Sequence, residues 1–371
     1  MKSSTTKSIK CWGVRVPLQE AEHVKDYLKK TRLFSDKARI IKEINTIIFP
    51  LNSKVTVLQH HPIRATFPSI THPKTFRENL KGILTPKEYE EAIKGFDVLG
   101  TIAIIEIPHN LEKKEHAIAT ALLQSNPSIK TILKREGAHT GSYRTQRYPF
   151  LLGEKTTITT YVEHNIIYTF DVERVYFSGR LSHDRKRIAN LVKKGENVLV
   201  LFSGCGPYVL TIAKHSGAHT VVGIELNPHG HSAAILNAQR NKISNTSFIK
   251  CNANDAKKHV GVKRFDRILM PHPTDAISYV PAALEVAKSR ATIHFYDFAP
   301  ESEFLAVGKN LTDICEKNGW SCEIINVVIC GEYSPRVFRV CVDAIVTKKP
   351  SDIHVGRAMV KKSKISPRRN P

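Results

Sequence analysis

The sequence predicts an α/β protein whose second half is a Rossmann-like domain, preceded by a middle α/β domain and a small N-terminal α+β module. Three observations carry this. From about Tyr176 onward, short apolar runs of strand length alternate with helix-period segments, the pattern of a parallel sheet covered on both faces. The run Val198-Leu199-Val200-Leu201-Phe202 enters a Gly-x-Gly turn at Gly204 and Gly206, with helix-period sequence directly beyond. The next strand ends in an acid, Glu225, 21 positions after Gly204.

Each element follows from its local pattern. In the N-terminal module, residues 1–60, a strand over 11–18 ends near Pro17 and an amphipathic helix covers 20–30. Ile40, Ile41, Ile44, Ile47 and Ile48 then lead to Pro50. Residues 61–85 predict a linker, because Pro62, Pro68 and Pro73 oppose regular elements. The middle domain, 86–174, begins with one buried strand over 98–107 that Pro108 stops. A helix over 111–124, a strand over 131–134 and a hairpin of 156–162 with 166–170 follow. In the third domain, 175–347, strands fall at 197–202, 220–225, 248–252, 267–270 and 291–298, with helices at 209–215 and 230–241 between them. Residues 348–371 form a basic tail expected to be disordered.

Charge is the abnormal quantity. Fifty-six Lys and Arg stand against 34 acids, a formal +22, and a chain this basic attracts a polyanion, nucleic acid being the commonest. No apolar run reaches the roughly 18 residues of a membrane span, and the polar, basic N-terminus lacks a secretory pattern. The seven cysteines are scattered with no C-x-x-C pair, which predicts a reducing, cytoplasmic setting. His60, His61, His229 and His231 have no second ligand set beside them, so no metal is expected. Cys205 is expected to be a small filler.

The loops after successive strands carry the chemistry. Phe202, Ser203, Gly204, Gly206 and Pro207 bring backbone close to a ligand, and Glu225, with Asn227 just beyond, can accept from ribose hydroxyls. Asn254 and Asp255, past the third strand, can serve an adenine amino group. The third glycine of the dinucleotide fingerprint is missing, so the three loops together point to S-adenosylmethionine rather than a nicotinamide. Met270-Pro271-His272-Pro273 is placed to wall an acceptor pocket through Pro271 and Pro273.

Several segments carry a resemblance. Residues 175–185, with Tyr176-Phe177-Ser178-Gly179-Arg180-Leu181, the 202–207 loop, and 141–145, 159–165, 270–273 and 333–335 are similar to the archaeal and eukaryotic-type tRNA (guanine-37-N1)-methyltransferases and their wybutosine-pathway relatives. The resemblance implies a class I methyltransferase domain, an N-terminal module that docks on the tRNA elbow, S-adenosylmethionine as cofactor, and a monomer acting on tRNA. It implies that Asp184 takes the place of a glutamate general base, with Arg180 and Tyr176 beside it. An acid suits that place, because guanine N1 is a poor nucleophile until its proton is removed. Arg144, Arg185, Arg135, Arg147 and Lys186 would neutralise phosphates. Tyr176 and Phe177 would stack on a flipped base or belong to the core. The chain departs from the family pattern at Val162, where an arginine that stabilises guanine O6 is expected, leaving Arg180 or Arg144 to supply that charge. It departs again at Gly179 for proline, at Val200 for aspartate, and at Pro271 for an asparagine. Two other functions remain: an aminocarboxypropyl transferase of the wybutosine pathway, and an RNA-binding protein that has lost catalysis.

Overall fold

The computed structural model describes residues 8–70, 74–91 and 95–350, so the basic tail from residue 351 lies outside the described residues. The chain divides into two compact units, Met1–Gly82 and Ile83–Pro371. Among the described residues no helix is long and apolar enough to cross a membrane.

In the first unit, strands Ile41–Lys42, Thr46–Leu51, Ser8–Pro17 and Pro62–Pro68 form, in that order, an antiparallel sheet. The helix Ala21–Lys30 lays Val24 and Leu28 on Val14, Val16, Phe49 and Leu51. The expected linker at 61–85 is therefore corrected. Residues 62–68 are an edge strand paired with Ser8–Pro17, and the prolines stand at its two ends, where an edge tolerates a missing donor. Thr75 then caps the helix Phe76–Leu80 through a reciprocal capping box with Glu78.

The second unit opens with a small sheet ordered Phe150–Gly153, Thr131–Lys134, Ile102–Ile105, Phe96–Leu99. The single strand expected over 98–107 is two antiparallel strands, because Gly100 takes φ +61° and turns the chain back on itself. The hairpin Ile158–Glu163 with Ile166–Asp171 forms as expected. The boundary expected at 174/175 is not a seam. Leu133, Tyr168 and Phe170 share one core with Cys205, Leu210 and Ala238. Asn237, on the helix Pro228–Arg240, and Asn241, its C-cap, accept from the backbone N–H groups of Thr169 and Ile167.

The remaining chain builds a seven-stranded sheet: β1 (Asn197–Leu201), β2 (Thr220–Glu225), β3 (Thr246–Lys250), β4 (Phe265–Met270), β5 (Ala287–Pro300), β6 (Trp320–Ser334) and β7 (Val337–Lys348). The order is β3-β2-β1-β4-β5-β7-β6, parallel from β3 to β5, with β7 antiparallel between β5 and β6. The parallel part agrees with the sequence pattern, whereas the closing β6–β7 hairpin was not anticipated. Strand order reverses beside β1, which opens a crevice at the carboxyl ends of β1 and β4, the place where such sheets bind ligands.

Candidate functional site

The chain leaves β1 in a sharp turn. Phe202 takes φ +57°, Gly204 +55° and Gly206 +89°, and Pro207 then opens the helix Pro207–His215. A bulky residue at positive φ is strained, and such strain is held only where packing over-determines it. Here the Phe202 ring is clasped by His272 and Tyr279, with centroids 4.8 and 4.9 Å away.

The turn lines a cavity of roughly 540 Å³ at the strand ends. Ser203 lines it, and its buried hydroxyl, packed against Gly223 of β2, has no partner among the described residues. The Glu225 carboxylate accepts from the Gly204 N–H at 2.6 Å and the Asn227 N–H at 2.7 Å, and burial pushes its pKa up. Asn252 and Ala253, after β3, close the next wall, and Pro271, His272 and Pro273, after β4, the last. Burial first, then the Arg144 charge, pulls the His272 imidazole down to about 4, so it is a neutral ring at physiological pH.

A second cavity, roughly 660 Å³, adjoins the first, and the two share Arg144, Tyr176, Tyr333 and Arg339. Its walls are aromatic, with Phe298 stacked on Tyr333 at 4.0 Å. Arg135 and Arg180 both pair with Asp97 in this region.

Behind the first cavity runs a buried polar network. Asp184 accepts from the Tyr208 and Tyr296 hydroxyls, both at 2.6 Å, and from Arg187 Nε at 2.8 Å. Arg187 also donates to Asp343, whose other oxygen meets His294 Nδ1 at 2.6 Å. Arg267 Nη1 lies 2.6 Å from His294 Nε2, where a guanidinium can only donate; burial opposes protonation of this imidazole, but the Asp343 carboxylate at Nδ1 outweighs it and raises the pKa. Although burial opposes ionisation, the His294 and Arg187 hydrogen bonds hold Asp343 down at about 2. His294, Cys341 and Asp343, far apart in the chain, converge with their ligand atoms within 4.8 Å, which no local pattern reveals. Both imidazole nitrogens and both Asp343 oxygens are already engaged by these partners.

Against known proteins, residues 159–325 match the TRM5/TYW2 methyltransferase domain and residues 76–156 the TYW2 N-terminal domain. The tRNA 4-demethylwyosine(37)-methyltransferase Taw21 of Saccharolobus solfataricus is 32% identical over 212 residues, covering 57% of this chain and 80% of that protein. The chain belongs to the TRM5/TYW2 methyltransferase family. Another member, the tRNA (guanine(37)-N(1))-methyltransferase Trm5b of Pyrococcus abyssi, is 28% identical over 89% of this chain and 98% of its own length. Its crystal structure superposes with a TM-score of 0.71 at 27% identity, covering 91% of this chain and 99% of that one. A tRNA(Phe) (4-demethylwyosine(37)-C(7)) aminocarboxypropyltransferase of Pyrococcus horikoshii is 29% identical over 73% of this chain and 98% of that protein.

Within this TRM5/TYW2 fold the expected site residues separate into two groups. Phe202, Ser203, Gly204, Pro207, Glu225, Asn227, Pro271, Pro273, Arg144 and Tyr176 all line the first cavity. Gly206 does not line it; its positive φ makes the turn into the helix. Asn254 and Asp255 are also off the wall. Asn252 caps the turn after β3 by accepting from the Asn254 N–H, which carries Asp255 round to an ion pair with Lys258. Asn252 and Ala253 take their place.

The larger corrections concern charge. Asp184 is 5% exposed and lies behind Tyr208 rather than on the wall, so the general-base expectation does not match its position. Arg185, expected on a phosphate, is 1% exposed and gives both edges of its guanidinium to Glu163 at 2.5 and 2.7 Å. Arg180 stands apart from the first cavity, 69% exposed and paired with Asp97. Val162, which stands where the family arginine was expected, is 60% exposed on the hairpin and lines neither cavity. Phe177 belongs to an aromatic cluster with Tyr161 and Phe170. Burial drives the Cys205 thiol up to about 12, as befits a filler. Sequence reasoning missed Arg339, which comes from β7 to the wall of both cavities.

Proposed function

We propose that this chain binds S-adenosylmethionine in the cavity at the ends of β1, β2, β3 and β4 and methylates N1 of guanine 37 in tRNA. The observation that carries this is the likeness to Trm5b over 89% of this chain and 98% of that enzyme. The aminocarboxypropyltransferase matches only 73% of this chain. The charge of +22 agrees with a polyanionic substrate.

The residues present fit the cofactor. Glu225 offers carboxylate oxygens to ribose hydroxyls, and the strained turn at 202–206 brings backbone close. When bound, the cofactor supplies an electrophilic methyl carbon on its sulfonium. The chain's own residues bind and orient. A base modified on its edge must leave its stack, and the second cavity offers it aromatic walls in Tyr176, Phe298 and Tyr333. Arg144, which donates to Thr274 where the two cavities meet, is placed to hold the nucleotide's backbone.

One observation favours a second reading, transfer of the aminocarboxypropyl group: the match of residues 76–156 to the TYW2 N-terminal domain. Unmodified tRNA incubated with cofactor labelled either on the methyl or on the aminocarboxypropyl carbons separates the two. Methyl label in 1-methylguanosine is the expected result, and aminocarboxypropyl label in the RNA would replace it with the second. An RNA-binding protein without catalysis would show no calorimetric affinity for S-adenosylmethionine.

The Glu225 environment sets a pH dependence. Its pKa is raised in the folded protein, so it takes up a proton at higher pH than an ordinary glutamate at 4.5. Protonation removes the acceptor for the ribose, and cofactor affinity is expected to fall on mild acidification. Calorimetric titrations at descending pH check this; an affinity that holds steady until the ordinary carboxylate range refutes it.

A further inference from the structure

Ionising guanine N1 moves negative charge onto O6, so the proposed reaction calls for a cation at that oxygen. Three arginines near the two cavities already have a carboxylate partner: Arg135 and Arg180 share Asp97, and Arg185 pairs with Glu163. Arg339 differs. It is 9% exposed, makes no ion pair among the described residues, and its Nε is buried without a partner there. Its register partner on β5 is Phe298, over whose ring the guanidinium stands at 5.2 Å, and Nη2 donates to the Tyr176 hydroxyl at 3.1 Å. A buried cation without a counter-charge is costly, and a protein retains one where a ligand brings the anion. Arg339 lines both cavities, and so stands where cofactor and acceptor meet.

We propose that Arg339 contacts the acceptor purine's oxygen and stabilises the negative charge that develops there, the role the sequence left open at Val162. This rests on the methyltransferase reading above. The positive charge lowers the pKa of the N1 proton and so draws its loss to solvent toward neutral pH; N1 then takes the cofactor's methyl carbon as the methyl C–S bond breaks and its electron pair stays on the thioether sulfur. Loss of a preorganised donor to such an oxygen typically costs a factor of about 10²–10³ in rate.

The test uses the full chain, tRNA and single-turnover methylation across a pH series, with Arg339→Met and Arg339→Lys. Arg339→Met is expected to lose about 10²-fold in rate. Its rate should keep rising with pH beyond the point where the wild type levels, and lysine should restore part of both losses. Calorimetric affinity for S-adenosylmethionine should stay near that of the wild type. An unchanged rate and pH profile in folded Arg339→Met overturns the proposal. So does a loss of affinity for S-adenosylmethionine but not for methylthioadenosine, which would assign Arg339 to the cofactor's carboxylate. If the methionine variant does not fold, Arg339→Gln carries the test, since it keeps a polar side chain but loses the charge; a wild-type rate and profile in it again overturn the proposal. A wild type that binds cofactor but methylates no tRNA overturns the underlying reading, and the proposal with it, before any variant is compared.

Discussion

Replacing Glu163 with glutamine is expected to cost about 3–5 kcal/mol of stability, the usual price of stranding one member of a buried ion pair. The substitution keeps shape and removes charge, leaving Arg185, 1% exposed, with one neutral amide oxygen and the Ser178 carbonyl at 3.1 Å as acceptors and no counter-charge. The rings of Phe177 and Tyr208, 5.2 and 5.9 Å from the guanidinium, cannot replace a carboxylate. At roughly 2–4 °C per kcal/mol for a unit of this size, the melting temperature should fall by about 10 °C. Removing both charges together, as Glu163→Met with Arg185→Met, should destabilise less than Glu163→Gln alone, because no charge is left stranded. The exposed Arg180–Asp97 pair supplies the contrast: Arg180→Ala should change stability by less than about 1 kcal/mol. Thermal melts of the four proteins settle the matter, and a Glu163→Gln melt equal to that of Arg180→Ala would show that the buried pair does not hold the hairpin to the helix Ser182–Leu191.

What was legible in the sequence was local. The parallel strands announce themselves as apolar runs, and the turn after β1 through Gly204 and Gly206 is contiguous in the chain, as is Glu225 at the end of β2. Period and turn chemistry suffice for these. Where one residue redirects the chain, pattern failed: Gly100 splits an apolar run into two strands, and prolines at the ends of Pro62–Pro68 disguise an edge strand as a linker. The β6–β7 hairpin was not anticipated although Val327-Val328-Ile329-Cys330 on β6 and Val340-Cys341-Val342 on β7 are apolar runs, because neither run is followed by the helix-period segment that marks the parallel strands.

The site was legible to the same limit. Of the residues in loops at strand ends, those after β1, β2 and β4 largely line the cavity as expected while Asn254 and Asp255 after β3 do not, and residues defined by long-range partners were misplaced. The helix Ser182–Leu191 contains Asp184, Arg185, Lys186 and Arg187 in succession and looks like a solvated face. Its Asp184 and Arg185 are buried only because Glu163, Tyr208 and Tyr296 arrive from other elements to meet them. Arg339 is a lone arginine in an alternating strand, and nothing nearby in sequence reveals that Phe298, Tyr176 and Tyr333 surround it.

Asp184→Asn should therefore behave as the loss of a brace and not as the loss of a base. Asp184 takes hydrogen bonds from two tyrosines and an arginine, and Tyr208 stands between it and the cavity. Burial, above all, pushes the Tyr208 and Tyr296 hydroxyls well above their usual range, so both remain donors that need an acceptor. Asparagine supplies one oxygen where the carboxylate supplied two, and its amide faces Arg187, which cannot accept. Hydrogen bonds to a buried charge are each worth about 1.5–3 kcal/mol, and since Arg187 keeps Asp343 the net cost should be about 2–3 kcal/mol. With Arg187 Nε facing an amide and the two tyrosines held by a neutral oxygen in place of a carboxylate, the brace behind Tyr208 loosens, and affinity for S-adenosylmethionine should fall along with the melting temperature. A residue acting directly as general base would leave both unchanged, abolish turnover, and remove the acidic limb of the pH–rate profile. The expected result is the reverse: weaker cofactor binding, a lower melt, and a residual rate whose pH profile keeps the wild-type shape. Calorimetry, a thermal melt and single-turnover rates across pH, all on the one variant, distinguish a carboxylate that positions the wall from one that touches the substrate.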